Sequence, residues 1–156
     1  MPSPPDLNST DPYDLDRFVQ AQAADYGRAL AELRAGEKRS HWMWYIFPQI
    51  EGLGHSSMSR RYSIRSAAEA WAYLDHPILG PRLRECAAAV NGIAGRSALE
   101  IFGSPDDMKL RSCATLFSRV SHEGVFDQLI QKYFDGQPDK ETLGLLNSPT
   151  DPTGTA

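Results

Sequence analysis

The sequence predicts an all-α protein, a single-domain array of about seven short to medium helices without a sheet. Apolar residues recur at the three- and four-residue spacing of helices that bury one face. Serine and aspartate residues stand where helix N-caps are expected, several of them followed three positions later by an acidic residue. Nowhere do β-branched residues alternate over five or more positions, as they do in a half-buried strand.

The chain has 156 residues, a length that favours one hydrophobic core. Prolines are concentrated at both ends, with four of the 11 within residues 1–12. We therefore expect one helical domain over residues 14–147, between a disordered N-terminal segment at 1–13 and a disordered tail at 148–156.

The first helix is expected over residues 15–35. Asp14 stands at its N-cap position, and Gly36 can supply the left-handed stop that often ends a helix. A helical turn over residues 40–47 follows, ended by a proline, and the stretch 49–65 is predicted to be a loop. The apolar stripe of the first helix consists of Leu15, Phe18, Val19, Gln22, Tyr26, Leu30 and Leu33.

Capping signals define the middle helices. Ser66 and Glu69 have the spacing of a capping box at the start of a helix over residues 67–74. Pro81, in a first-turn position, opens a helix over residues 82–93.

Further helices are predicted in the last third of the chain. Ser97 with Glu100 begins one helical turn that ends at Gly103. Residues 104–107 begin a longer helix to Val120, with proline at N1 and acids over the positive end of the helix dipole. Two shorter helices complete the array, over residues 125–134 and 139–146.

The net charge of −4 comes from the ends of the chain. Five of the 20 acidic residues lie there, which leaves 15 acids against 16 bases in the body. Duplex nucleic acid is not an expected partner, because it requires many cations on one face. The five acids are Asp6, Asp11, Asp14, Asp16 and Asp151.

The two cysteines, Cys86 and Cys113, lack the spacing of a zinc site or a redox motif. We expect them to be buried, reduced, structural thiols. No His-x-x-x-His pair, P-loop or capped GxGxxG turn occurs, so we predict no metal and no cofactor.

No apolar run approaches the roughly 20 residues that cross a bilayer, and no membrane association is expected. The first residues lack the basic and apolar regions of a secretory signal, so we expect a cytoplasmic protein. The oligomeric state does not follow from the sequence.

The most unusual segment is residues 38–49, here called the aromatic run, which combines four aromatic residues with a histidine and two bases. In a helix Trp42 and Trp44 point about 200° apart, so both cannot be buried on one face. An exposed indole beside Arg39 and His41 is suited to stack on a base or sugar ring. The alternative is that the run is a core plug with its charges solvated.

A second candidate is residues 59–65, here called the arginine loop, which contains three arginines and no acid. Arg60 and Arg61, followed by Tyr62, present planar guanidinium groups suited to phosphate or carboxylate oxygens. The alternative is a solvated loop, or internal ion pairs to aspartates.

Ordered motifs extend along most of the chain, and through them it resembles the bacterial family called domain of unknown function 1810, over residues 14–146. The resemblance implies an all-α fold and no established activity. Cys113 stands where that family often has a small residue, which argues against a catalytic thiol. The motifs include Asp16-Arg17-Phe18-Val19, Ser40-His41-Trp42-Met43-Trp44, Gly52-Leu53-Gly54, Leu79-Gly80-Pro81-Arg82-Leu83 and Ile101-Phe102-Gly103-Ser104-Pro105.

A shorter resemblance bears on the ligand. Gln20-Ala21-Gln22 is similar to the Gln-Ala-x-Lys helix of the NADAR enzymes, which act on ADP-ribose derivatives. The catalytic glutamate of those enzymes falls on Asp16 here, a departure from their pattern.

These features favour a pocket for an anionic, nucleotide-like metabolite such as an ADP-ribose derivative. His41 is the candidate acid or base for its hydrolysis, because histidine titrates near neutral pH. The alternative is a non-enzymatic adaptor that docks a protein through the aromatic run; single-stranded nucleic acid is a weaker third possibility. The expected ligand contacts are Arg39, Trp42, Trp44, Arg60, Arg61 and Tyr62.

Overall fold

The structure is a computed structural model that describes residues 11–147. Within these residues the chain forms ten helices and no strand, so the all-α prediction is confirmed and the expected number of about seven helices is too low. The helices are α1 (Asp16–Ala23), α2 (Tyr26–Arg34), α3 (Met43–Ile46), α4 (Ser57–Arg61), α5 (Ala67–Asp75), α6 (Leu79–Asn91), α7 (Ala98–Phe102), α8 (Asp106–Ser121), α9 (Gly124–Phe134) and α10 (Lys140–Leu146).

The first predicted helix is two helices, because the chain turns between α1 and α2. The Asp25 carboxylate at this turn accepts a hydrogen bond from the Tyr45 hydroxyl, which ties the turn to the aromatic run. Gly36 ends α2 with φ +78°, as predicted. The expected N-cap, Asp14, is wrong: the Asp11 carboxylate instead accepts from the backbone N–H groups of Leu15 and Asp16 at 2.7 and 2.9 Å.

The stretch 49–65 is more than the predicted loop. It contains α4 and one isolated parallel bridge between Ile50 and Ile64. The Glu51 N–H donates to the Ile64 carbonyl, and the Ile64 N–H donates to the Gln49 carbonyl, each at 2.8 Å. This bridge holds the end of the aromatic run against the arginine loop. It involves too few residues to appear in the sequence as the alternating pattern of a strand.

The capping predictions are confirmed in part. Ser97 and Glu100 form a complete capping box at α7, and Asp139 caps α10. Ser66 caps α5, but the side chain of Glu69 does not return to it. At α8 the proline occupies the N-cap position rather than N1, after a cis Ser104–Pro105 bond. The helix predicted from residue 82 begins at Leu79, which leaves Pro81 in its first turn.

The core lies between α1, α2, α5, α6, α8 and α9, with the aromatic run packed against it. Both cysteines are buried without a disulfide, as predicted, and burial raises the pKa of each thiol. Most of both predicted disordered ends falls outside the described residues, although Tyr13 is described and packs against the core. None of the helices between residues 11 and 147 is long and apolar enough to cross a membrane. The largest fully buried rings are Phe18, Trp42, Phe47, Tyr73, Phe117 and Phe126.

Candidate functional site

A small notch opens where the end of the aromatic run meets α4 and the arginine loop. Its cavity volume is about 30 Å³, which is room for about two water molecules. Only a small group can therefore enter it, and the rest of any larger ligand would lie across its mouth. The notch is lined by Trp44, Gln49, Ile50, Glu51, Gly52, Leu53, Gly54, Ser59, Arg60, Tyr62 and Ser63.

Two glycines allow the wall formed by residues 51–54 to lie close to its neighbours. Gly52 has φ +107°, a conformation that residues with side chains rarely adopt. A Cβ atom at Gly54 would stand 2.6 Å from the Ser59 hydroxyl oxygen, too close for any unshifted contact. Gly52 therefore allows the backbone conformation of this wall, and Gly54 allows the wall to approach Ser59 of α4.

Trp44 forms one side of the notch. Trp44 lies in the short helix α3, and its half-buried side chain packs against the core on one side and lines the notch on the other. The Lys109 ammonium lies 5.3 Å from the ring centroid and also pairs with Asp106 at 3.3 Å. A cation–π contact of this kind fixes the indole while the notch side of the residue stays accessible.

Arg60 forms the opposite side, and its exposed guanidinium makes no ion pair or hydrogen bond with any side chain of residues 11–147. The Gln49 amide likewise has no hydrogen-bond partner in this part of the chain. Glu51 adds one exposed carboxylate to the mouth. The notch thus combines a cation, an amide and a carboxylate, none of them saturated by internal contacts.

A buried ion pair supports the wall of the notch. The Arg17 guanidinium donates to the Arg61 carbonyl at 2.8 Å, the Ser63 carbonyl at 2.7 Å and the Glu69 carboxylate at 2.8 Å. The side chains of Arg17 and Glu69 are only 10% and 2% exposed, and burial raises the pKa of Glu69 despite the arginine. Tyr62 lies between the two carbonyls that Arg17 binds, so this pair holds the notch lining in place.

Neither Arg17 nor Glu69 is predicted as a site residue from the sequence. Glu69 has the position of a capping-box acid, and its long-range partner is not visible from its spacing. The motif Asp16-Arg17-Phe18-Val19 is the one sequence feature that includes Arg17.

In the first half of the aromatic run, backbone and side-chain donors bind a different carboxylate, that of Glu32. It accepts from the backbone N–H groups of Arg39 and Ser40 at 2.7 and 3.0 Å, from the Ser40 hydroxyl at 2.6 Å and from the Trp42 indole N–H at 2.9 Å. Burial alone would raise the pKa of Glu32, but the hydrogen bonds from Ser40, Arg39 and Trp42 lower it to about 2. This half of the run is internally satisfied.

The predicted site residues divide between these two regions. Trp44, Arg60 and Tyr62 come together in the notch. Arg61 lies outside the lining, with its guanidinium 5.6 Å from the Tyr62 ring centroid and its Nε donating to the Tyr62 hydroxyl.

Besides Arg61, three predicted residues do not line the notch. Trp42 is fully buried, so Trp44 is the accessible indole of the two. The exposed Arg39 pairs with Glu37 at 3.5 Å. His41 is exposed, and its carbonyl accepts from the Tyr45 hydroxyl at 3.3 Å. Across residues 11–147, no group of three or more histidine, cysteine or acidic side chains could hold a metal ion.

Comparison with known proteins places this chain in a family. The family model described as "Protein of unknown function (DUF1810)" matches residues 12–146. The chain belongs to the DUF1810 family. The aromatic run and Gly52-Leu53-Gly54, through which the chain resembles this family, contribute much of the notch lining.

The chain is also similar to a protein of known structure, the conserved hypothetical protein Rv1873 from Mycobacterium tuberculosis. The two share 53% sequence identity and superpose with a TM-score of 0.87, over 88% of this chain and 99% of that one. Comparison with curated proteins found no significant match. The DUF1810 assignment therefore identifies a family and a helical fold. The residues of the notch are what indicate the kind of ligand that the protein can bind.

Proposed function

We propose that this DUF1810 protein binds a small anionic metabolite that carries a planar ring, of the nucleotide or ADP-ribose type, across the mouth of the notch. The observation that carries this proposal is the meeting of an accessible indole, Trp44, with an unpaired guanidinium, Arg60, at one small cavity. Indoles stack on planar rings, and guanidinium groups bind phosphate oxygens through two parallel hydrogen bonds.

Two other polar residues of the lining, Gln49 and Glu51, favour a ligand that carries hydroxyl or amino groups rather than a simple anion. The Glu51 carboxylate accepts hydrogen bonds but repels phosphate, so a ligand needs donors on the side that faces it. The Gln49 amide can both donate and accept. A ribose or a base supplies such donors and inorganic phosphate does not, so ring-bearing phosphates should bind more tightly than phosphate alone.

The proposal concerns binding rather than hydrolysis. His41 does not line the notch, and the lining contains no histidine or cysteine. The notch can therefore hold and orient a ligand, and the candidate acid or base His41 lies outside its lining.

The adaptor alternative has less support. Trp42, Met43, Tyr45, Ile46 and Phe47 are buried, so the aromatic run offers a protein partner only the half-buried Trp44. Interface hot spots rest on clusters of accessible aromatic side chains. A single indole at the edge of a small cavity fits a small ligand better than a protein surface.

Isothermal titration of the full chain with ADP-ribose, AMP and inorganic phosphate tests the proposal. We expect ADP-ribose or AMP to bind with a dissociation constant below about 1 mM, and phosphate more weakly. Arg60→Ala should weaken binding about tenfold, since it removes the phosphate contact.

Arg39→Ala is the matched control, because Arg39 is also an exposed arginine but lies outside the notch. It should leave the affinity unchanged. Absence of binding by all three compounds at millimolar concentration, or equal losses in the two variants, would contradict the proposal.

A further inference from the structure

A second concave surface lies away from the notch, where α5, α8 and α10 meet. Its volume is about 340 Å³, within the range of roughly 300–1,000 Å³ that ligand sites occupy. Four of its six lining residues are apolar, and two of these, Val120 and Leu146, pack against the core. We call this surface the α10 groove; its lining is Ala67, Arg119, Val120, Leu143, Leu146 and Asn147.

The α10 groove carries one charge, and that charge is unpaired. Arg119 is exposed and forms no ion pair or hydrogen bond with another side chain of residues 11–147. Two other arginines have internal acids, as Arg17 has in Glu69 and Arg84 has in Glu123. An unpaired guanidinium at an apolar groove favours an occupant that brings a carboxylate.

A large exposed aromatic side chain adjoins the groove. Trp71 is 56% exposed and lies one helical turn beyond Ala67 on the same face of α5. Ala67 itself lines the groove, so this indole lies one turn from the α5 side of the groove. Tryptophan and arginine are the residue types that most often dominate binding energy at protein interfaces.

We propose that the α10 groove docks an acidic amphipathic helix of another protein. Apolar side chains at i, i+4 and i+7 would lie against Trp71 and the apolar lining, as in other helix-in-groove complexes. A glutamate or aspartate flanking these anchors would pair with Arg119. This inference does not depend on the proposed ligand of the notch.

Two synthetic peptides of about twelve residues test the proposal, each with leucines at the helical anchor spacing. One carries glutamates beside the leucines and the other carries lysines. Titration into the full chain is followed by tryptophan fluorescence in a Trp44→Phe background, in which Trp71 is exposed and Trp42 is buried. It should show at least tenfold tighter binding of the acidic peptide. Trp71→Ala should weaken that binding about tenfold, measured by fluorescence anisotropy of a labelled peptide.

Arg119→Glu should reverse the preference between the peptides. Arg39→Glu, which makes the same charge change at an exposed arginine elsewhere, should not alter it. Failure of the acidic peptide to bind, or an Arg39→Glu effect equal to that of Arg119→Glu, would overturn the proposal.

One further result would assign the groove to another occupant and would also overturn the proposal. Conversion of a dimer into a monomer by Trp71→Ala, measured by sedimentation equilibrium, would identify a second copy of this chain as the occupant.

Discussion

Trp42 and Trp44 are two positions apart, yet the polar groups around them differ. Within the part of the chain that the structure describes, those around Trp42 are hydrogen-bonded, and several of those around Trp44 are not. The Trp42 indole is fully buried and donates to Glu32, a carboxylate that also receives both backbone and hydroxyl hydrogen bonds. The Trp44 indole is half-buried beside a cation, an amide and a carboxylate that have no side-chain partner within residues 11–147. A dense run of aromatic and basic residues therefore contains both a structural half and a half that is available to a ligand.

The comparison shows that composition alone does not identify a binding surface. Arg39 and Arg60 are both exposed arginines in segments rich in bases. Arg39 pairs with Glu37, whereas Arg60 has no acid partner in the described part of the chain. The two arginines differ because the fold brings a carboxylate near Arg39 and leaves the Arg60 guanidinium unpaired among residues 11–147. The predictions below test whether the two regions are as distinct as these contacts indicate.

The largest effect is expected at the ion pair that supports the notch wall. Arg17→Met leaves the Glu69 carboxylate buried without its partner and frees the carbonyls of Arg61 and Ser63. We expect a loss of about 3–5 kcal/mol in the free energy of unfolding, measured by urea denaturation.

Arg28→Met is the control for that variant, since Arg28 pairs with Asp25 at 3.7 Å and its side chain is 62% exposed. This exposed pair should contribute less than about 1 kcal/mol. Equal losses in the two variants would mean that the buried pair does not support the fold as argued.

The two tryptophans should differ next most strongly. Trp42→Phe removes buried volume and one hydrogen bond to Glu32, so we expect a loss of about 2–3 kcal/mol in unfolding free energy. Trp44→Phe should cost less than about 1 kcal/mol, because its ring is half-buried at the notch. Urea denaturation of both variants checks the comparison, which fails if Trp44→Phe is the more destabilising.

The pH dependence of stability should reveal Glu32. Its pKa in the folded protein is about 2, below the ordinary value of about 4.3 in an unfolded chain. The ionised carboxylate therefore stabilises the fold above about pH 5, and this contribution is lost as the pH falls toward 2. We expect the ionised carboxylate to contribute about 1–2 kcal/mol to the free energy of unfolding, and Glu32→Gln should remove this contribution at pH 7.

Glu37→Gln is the matched control at pH 7, because Glu37 belongs to an exposed ion pair with Arg39. It should change the unfolding free energy by less than about 0.5 kcal/mol. A Glu32→Gln variant as stable as this control at pH 7 would show that the Glu32 hydrogen bonds contribute little.

The smallest effects on stability are expected from the exposed arginines. Arg39→Ala and Arg60→Ala should each change the free energy of unfolding by less than about 0.5 kcal/mol, because neither is buried in the fold. Thermal unfolding checks this. A large loss at Arg60 would mean that its guanidinium serves the fold and would weaken its assignment to the notch.

Local signals predicted the helices well where the chain itself supplies the cap. Ser97 with Glu100, Asp139 and Gly36 act at the predicted positions, because a cap requires partners only three or four residues away. The first helix was predicted without its break, since the apolar stripe of residues 15–33 continues through the turn at Ala24 and Asp25. The turn depends on a distant group, the Tyr45 hydroxyl that donates to Asp25.

The candidate site was predictable only in part, for a related reason. The sequence identified Trp44, Arg60 and Tyr62, whose residue types are unusual for their segments. It did not distinguish them from Trp42, Arg39 and His41, which have similar neighbours along the chain. Gln49 and Glu51 were not singled out, because an amide or a carboxylate in a loop has no pattern of its own.

The order of residues specified an all-helical chain, the positions of most helix ends and the burial of both thiols, because propensity, capping and apolar spacing act over a few neighbouring residues. Tertiary contacts decided which cations keep a free guanidinium and which indole stays accessible. Those outcomes depend on pairs such as Arg17 with Glu69 and Trp42 with Glu32, which are 52 and ten positions apart. Whether a polar group has a hydrogen-bond or ion-pair partner depends on the residues near it in space, and folding brings those residues together.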